Sequence, residues 1–110
     1  MNHQHKDLAA GRWHTLSFLE QMANIGSEVE RALNWKMKKN ADYSRKAFER
    51  SLELLDLTLD GVTVRSRFKE LTRLREAIVD FFAGANEFRS SDTLWRKYFM
   101  PFIYAARKNY

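Results

Sequence analysis

The chain has 110 residues, of which 45% are hydrophobic, and its net charge at pH 7 is +5. This length and hydrophobic content are typical of one folded domain with one core. The chain contains no cysteine, which excludes disulfides, thiol nucleophiles and thiolate metal sites. Because no apolar run reaches the ~18–20 residues of a membrane span and no signal peptide precedes the first helix, we expect a cytoplasmic protein without a membrane partner.

Residues 1–14 repeat with neither a helical nor a strand period, so we expect a flexible N-terminal lead ahead of a single helical domain at residues 15–110. Trp13 is the exception, since it is large enough to anchor the chain to the core. The three histidines all fall in this lead, where His3 and His5 could share a metal, but a zinc site needs three or four fixed ligands. We therefore predict no metal site and no cofactor.

The first helix is predicted at residues 16–38, where Ser17 and Glu20 have the spacing of a capping box. Gly26 inside this helix is expected to permit the close approach of a neighbouring helix, since it otherwise weakens helix propensity. Apolar residues recur at the three- and four-residue intervals of one buried face: Phe18, Met22, Ile25, Val29, Leu33 and Met37.

The second helix is predicted at residues 41–60, between Asn40 as N-cap and Gly61 as the stop signal. Its buried face is formed by Phe48, Leu52, Leu55 and Leu59. Leu57 points away from that face, which makes it a candidate contact for a partner chain.

The third helix is predicted at residues 64–83, with Thr63 or Ser66 as its cap. The fourth is predicted at residues 92–108 after Ser91, and Pro101 is expected to kink or break it. Their buried faces comprise Phe68, Leu71, Arg75, Ile78, Val79 and Phe82 in the third helix, and Leu94, Trp95, Tyr98, Phe99, Phe102 and Ala106 in the fourth. Short connections between helices of similar length predict an all-α, four-helix up-down bundle.

Three groups of residues are candidate sites. Arg65, Lys69 and Arg73 share one face of the third helix and could follow a nucleic-acid backbone. Asp56, Arg75 and Asp80 lie among apolar residues, where a carboxylate needs a cation or donors, so they form either a structural ion pair or a polar pocket for a small ligand. Leu57 and Trp95 are candidate contacts for a partner. In the loop at residues 84–92, Phe88 is expected to pack beneath the backbone.

The segments Gly26–Leu33, Leu54–Thr58 and Asn86–Phe88, followed by Tyr98 and Phe99, resemble a family of small uncharacterised prokaryotic helical proteins. More distantly, the layout is similar to HEPN-type bundles and to the helical partners of nucleotidyltransferases. This resemblance implies a short bundle that pairs with a second protein. The HEPN ribonuclease motif, an arginine followed by a histidine after a short polar gap, is missing, and the resemblance therefore argues against ribonuclease activity.

These observations predict a non-catalytic interaction module that forms a homodimer or pairs with another protein. The alternatives are a nucleic-acid-binding protein that uses residues 65–75, and a small-ligand binder or enzyme with acids between its helices.

Overall fold

The structure is a computed structural model that describes residues 11–108, and all of its regular elements in that range are helical. Residues 11–13 are helical and are followed by four long helices: α1 (Phe18–Met37), α2 (Ala41–Gly61), α3 (Arg65–Ala83) and α4 (Asp92–Lys108). The all-α prediction is confirmed, and the predicted helix bounds agree closely with the observed ones. Among residues 11–108, no helix is both long and apolar enough to cross a bilayer.

Trp13 ties the start of the described chain to the domain. Its side chain is buried, and Nε1 donates to Thr58 Oγ1 at 3.0 Å. Gln21 Nε2 donates to the Trp13 carbonyl oxygen, also at 3.0 Å. Trp13 thus joins α1 to α2, as its size predicts. The rest of the predicted lead, residues 1–10 with His3 and His5, lies outside the described residues.

Local capping explains where α1 and α2 begin. The Glu20 amide donates to Ser17 Oγ at 3.1 Å, and the Ser17 amide donates to Glu20 Oε1 at 3.0 Å, which is the predicted capping box. Asn40 caps α2 by accepting from the Tyr43 amide at 3.1 Å. These bonds satisfy backbone donors that the first turn of a helix leaves free.

The core is centred on α1, which packs closely along both α2 and α4. Met22, Ile25, Leu33, Leu55 and Leu71 are all fully buried there. Gly26 permits the contact with α4, because a Cβ at this position would lie 2.8 Å from the Cβ of Phe99. The predicted role of Gly26 is confirmed.

The backbones of α3 and α4 do not pack against each other in this way. α3 packs mainly on α2, while α4 packs on α1, and the side chains of Tyr98 and Glu70 bridge α3 and α4. A closed bundle would bury both facing surfaces of these helices. The gap therefore leaves a groove on one side of the domain.

Several residues predicted to be buried are exposed instead: Met37, Phe68, Phe88 and Leu94 are 68%, 49%, 61% and 54% exposed. Met37 is the last residue of α1 and Phe68 lies in the first turn of α3, where the core ends. Leu94 faces the groove instead of a packed helix.

One prediction about the helix ends was wrong, and one about Pro101 is only partly tested. The N-cap of α3 is Val64, whose side chain makes no capping bond, so neither Thr63 nor Ser66 caps this helix. α4 continues through Pro101, so the helix is not broken there, and a kink at Pro101 stays a prediction. Proline removes one backbone donor, but half-buried Phe102 and Ile103 and buried Ala106 hold the following turns against the domain.

Candidate functional site

The groove between α3 and α4 has a volume of about 610 Å³, which is within the usual range for ligand sites. One face of α3 contributes Ser66, Lys69, Glu70, Arg73, Leu74 and Ala77, while the other wall contains Ser90, Leu94, Trp95 and Tyr98. Leu74 and Trp95 are each 6% exposed and form an apolar floor, and Leu94 stands exposed beside them. The surface is therefore apolar at its base and charged along the α3 side.

Lys69 and Arg73 supply the positive charge of the groove. They are one helical turn apart on α3, and the side chain of neither residue makes a hydrogen bond or an ion pair within residues 11–108. Arginine and lysine on a helix commonly meet an acidic neighbour one turn away. Here both cations are left to interact with whatever enters the groove.

Tyr98 and Glu70 bridge the two walls. The Tyr98 hydroxyl donates to Glu70 Oε2 at 3.1 Å. Burial, and then the charge and hydrogen bond of Glu70, raise the pKa of Tyr98 above its usual range. Tyr98 is a protonated donor at neutral pH. The carboxylate that accepts its hydrogen bond, Glu70, is the one carboxylate that lines the groove among the described residues.

The indole nitrogen of Trp95 is an unsatisfied hydrogen-bond donor among the described residues. This atom, Nε1, is buried and has no hydrogen-bond partner within the described chain. A buried donor without an acceptor destabilises the fold by about 1–3 kcal/mol. Trp95 borders the groove and also a smaller cavity of about 220 Å³ against α1. An occupant that offers an oxygen atom would remove this energetic penalty.

The three residues predicted to contact nucleic acid are only partly brought together at this site. Lys69 and Arg73 line the groove, whereas Arg65, the first residue of α3, does not. The predicted track along α3 therefore divides into two groove residues and one residue outside it. Arg65 can therefore serve as a control for substitutions of Lys69 and Arg73.

The residues of the predicted polar pocket, Asp56, Arg75 and Asp80, are also not brought together in one site. Arg75 Nε donates to Asp56 Oδ1 at 2.9 Å, and this partly exposed ion pair joins α3 to α2. Asp80 has other partners, because its two carboxylate oxygens accept from the amides of Glu87 and Phe88 at 2.8 and 2.9 Å. Asp80 thus orders the loop before α4. A small ligand at Asp56 and Arg75 stays a prediction.

The two predicted partner contacts differ in exposure. Leu57 is half-buried at the edge of the core, and Trp95 is buried at the floor of the groove. A partner could approach Trp95 through the groove or through the smaller cavity against α1.

Sequence reasoning missed Glu70, Leu74, Ala77 and Ser90 as groove residues. The available signal was the face of α3 opposite Phe68, where small, apolar and charged side chains alternate. That face has the composition of an ordinary helix surface, so its pattern does not distinguish a groove from solvent. Whether this face of α3 lines a groove or contacts solvent depends on the distance between α3 and α4 in the folded domain.

Comparisons with known proteins give no relative: no protein-family model, no curated protein and no solved structure matches this chain.

Proposed function

We propose that this protein is a non-catalytic interaction module that binds an amphipathic, acidic helix of another protein in the groove between α3 and α4. The observation that carries the proposal is the combination of an apolar floor with two cations that have no partner in the described chain. On this proposal the four helices are those of an up-down bundle, opened between α3 and α4, and the partner's helix fills the opening.

The apolar part of the groove supplies affinity. Leu94 is 54% exposed, although it stands beside Leu74 and Trp95. Covering an exposed leucine side chain stabilises a complex by roughly 1.5–3 kcal/mol when burial is complete. A helix that presents leucine-like residues at one-turn intervals would fit against these three side chains.

The charged part of the groove selects the partner. Lys69 and Arg73 stand on one wall, and the single lining acid, Glu70, already accepts from Tyr98. An acidic flank on the partner would complement these cations, while a basic flank would be repelled. The absence of cysteine fits a partnership in the cytoplasm, which we keep as part of the proposal.

Photo-crosslinking tests the groove directly. With p-benzoylphenylalanine in place of Leu94, we expect a crosslinked product with one other protein, at an apolar and acidic helical segment. The same probe in place of Tyr104 is the control, because Tyr104 is 65% exposed on the same helix but does not line the groove. Equal products from both positions, or none from position 94, would contradict the proposal. A product of twice the chain mass would identify a homodimer instead.

A second candidate, nucleic-acid binding along α3, is favoured by the same two free cations. It makes a different prediction, because a backbone track requires Arg65 as well as Lys69 and Arg73. Charge reversal of any of the three would then weaken binding to RNA or DNA, with a steep dependence on salt. Filter binding at low salt measures this, and no detectable affinity for RNA or DNA would remove this candidate.

A further inference from the structure

A second cavity lies where the turn between α1 and α2 meets the end of α3. Its volume is about 430 Å³. The lining consists of Lys36, Lys39, Ala41, Ser44, Arg45, Phe48, Phe82 and Ala83, which includes three cations and no carboxylate. Charged residues on protein surfaces usually alternate in sign. This cavity instead collects one sign of charge at its wall.

Its floor is aromatic. The rings of Phe48 and Phe82 lie 5.4 Å apart, and Phe48 is buried. Lys36 lines the cavity, and its Nζ stands 4.2 Å from the centre of the neighbouring Phe81 ring. Of the three cations, Arg45 has an acidic neighbour, Asp42, at 3.4 Å across an exposed ion pair. Pairs of this kind contribute little and leave the guanidinium able to bind a stronger anion.

Lys39 occupies a backbone position that favours glycine. Its φ is 62°, and the amides that close the end of α1 run from Lys39 to the Lys36 carbonyl and from Asn40 to the Trp35 carbonyl. Helices commonly end in this way with glycine at the left-handed residue, because a side chain there is strained. The chain therefore places a lysine beside the cavity at a position where a lysine lowers stability.

We propose that this cavity binds the phosphoryl groups of a phosphorylated small molecule with an aromatic body, such as a nucleotide. Lys36, Lys39 and Arg45 would contact the phosphoryl oxygens, which accept charge-assisted hydrogen bonds. The start of α2 adds the positive end of its helix dipole. The aromatic body would rest on Phe48 and Phe82. This site is independent of the α3–α4 groove, since the two share no lining residue.

Calorimetric titration with ATP, pyrophosphate and adenosine separates the two parts of the site. We expect ATP to bind more tightly than pyrophosphate, and adenosine to bind weakly or not at all. Equal affinities for ATP and pyrophosphate would overturn the aromatic contact. Failure of both, or binding confined to long single-stranded RNA, would overturn the proposal.

Lys36→Gln is the first test variant, and Lys38→Gln is its matched control. Both remove one charge from the same turn, but Lys38 does not line the cavity; its ammonium lies 5.1 Å from the centre of the Trp35 ring. We expect Lys36→Gln to weaken ATP binding about tenfold and Lys38→Gln less than twofold. Equal losses would mean that ATP senses only the general positive charge, which would overturn the site.

Lys39→Gly gives two readouts of opposite sign. Glycine relieves the left-handed strain, so the Tm should rise by roughly 4–8 °C, while ATP binding should weaken about tenfold. Because the variant is more stable, lost binding could not come from misfolding. A raised Tm with unchanged ATP affinity would show that Lys39 does not contact the ligand, and would overturn its assignment.

Discussion

The helices are closely packed on one side of this domain, around α1, and separated on the other side, between α3 and α4. Where α1 meets α2 and α4, buried apolar side chains form the core, and Gly26 permits a contact so close that even a methyl group would collide with Phe99. Where α3 faces α4, the backbones stay apart and a few side chains, chiefly Tyr98 and Glu70, cross the gap. The packed side buries most of the core, and the open side leaves the surface that we propose a partner covers.

Matched leucine truncations should separate the two sides most strongly. Leu55 is fully buried, whereas Leu94 is 54% exposed in the groove. We expect Leu55→Ala to lower the free energy of unfolding by about 2–5 kcal/mol, and Leu94→Ala to change it by less than about 0.5 kcal/mol. Urea denaturation followed by circular dichroism measures both. If both variants lowered the free energy of unfolding by similar amounts, Leu94 would be packed in solution, and the contrast between a packed side and an open side would be wrong.

Gly26→Ala should have the next largest effect. The added methyl group collides with Phe99, which costs about 1–3 kcal/mol, and alanine recovers up to ~1 kcal/mol through its helix propensity. With the full gain in propensity, a net destabilisation of up to about 2 kcal/mol should result. Gly11→Ala is the control, because a Cβ there has no atom within 4 Å among the described residues. Thermal unfolding that shifts equally in both variants would refute the close contact.

The start of α3 offers a stabilising change on the open side. Val64 occupies the N-cap position but makes no side-chain bond. Val64→Thr keeps the shape of the side chain and adds an acceptor, so we expect an increase of about 0.5–2 kcal/mol in the free energy of unfolding. Ser17→Ala should produce a loss of similar size by removing the cap of α1. If Val64→Thr has no effect, the amides of that turn are already satisfied by water.

Tyr98 should give the smallest effect, visible only at high pH. Burial and Glu70 raise its pKa above the usual value of about 10, so the unfolded chain loses this proton first. The contribution of Tyr98 is therefore complete below about pH 10 and is lost as the pH rises further. Tyr98→Phe should flatten the fall in stability between about pH 10 and 11. Chemical denaturation at several pH values checks this, and an unchanged slope would contradict it.

The sequence predicted the features that depend on neighbouring residues. The capping box of Ser17 and Glu20, the Asn40 cap and the fully buried residues of α1 follow from spacing alone. The sequence did not predict which apolar face would lack a partner. Leu94 and Phe99 belong to the same predicted face of α4, yet one is exposed and the other is buried. The separation of α3 from α4 decides this difference, and no local pattern encodes that distance.

The indole N–H signals of the tryptophans test the central claim most directly. Trp13 Nε1 is bonded to Thr58, whereas Trp95 Nε1 has no partner in the described chain and borders the groove. In a ¹H–¹⁵N spectrum recorded during titration with the segment captured at position 94, the Trp95 signal should shift downfield as it gains an acceptor, while the Trp13 signal stays in place. The shift should disappear in Lys69→Glu with Arg73→Glu and persist in Arg65→Glu. A bound segment that leaves the Trp95 signal unmoved, or that moves Trp13 equally, would contradict the account.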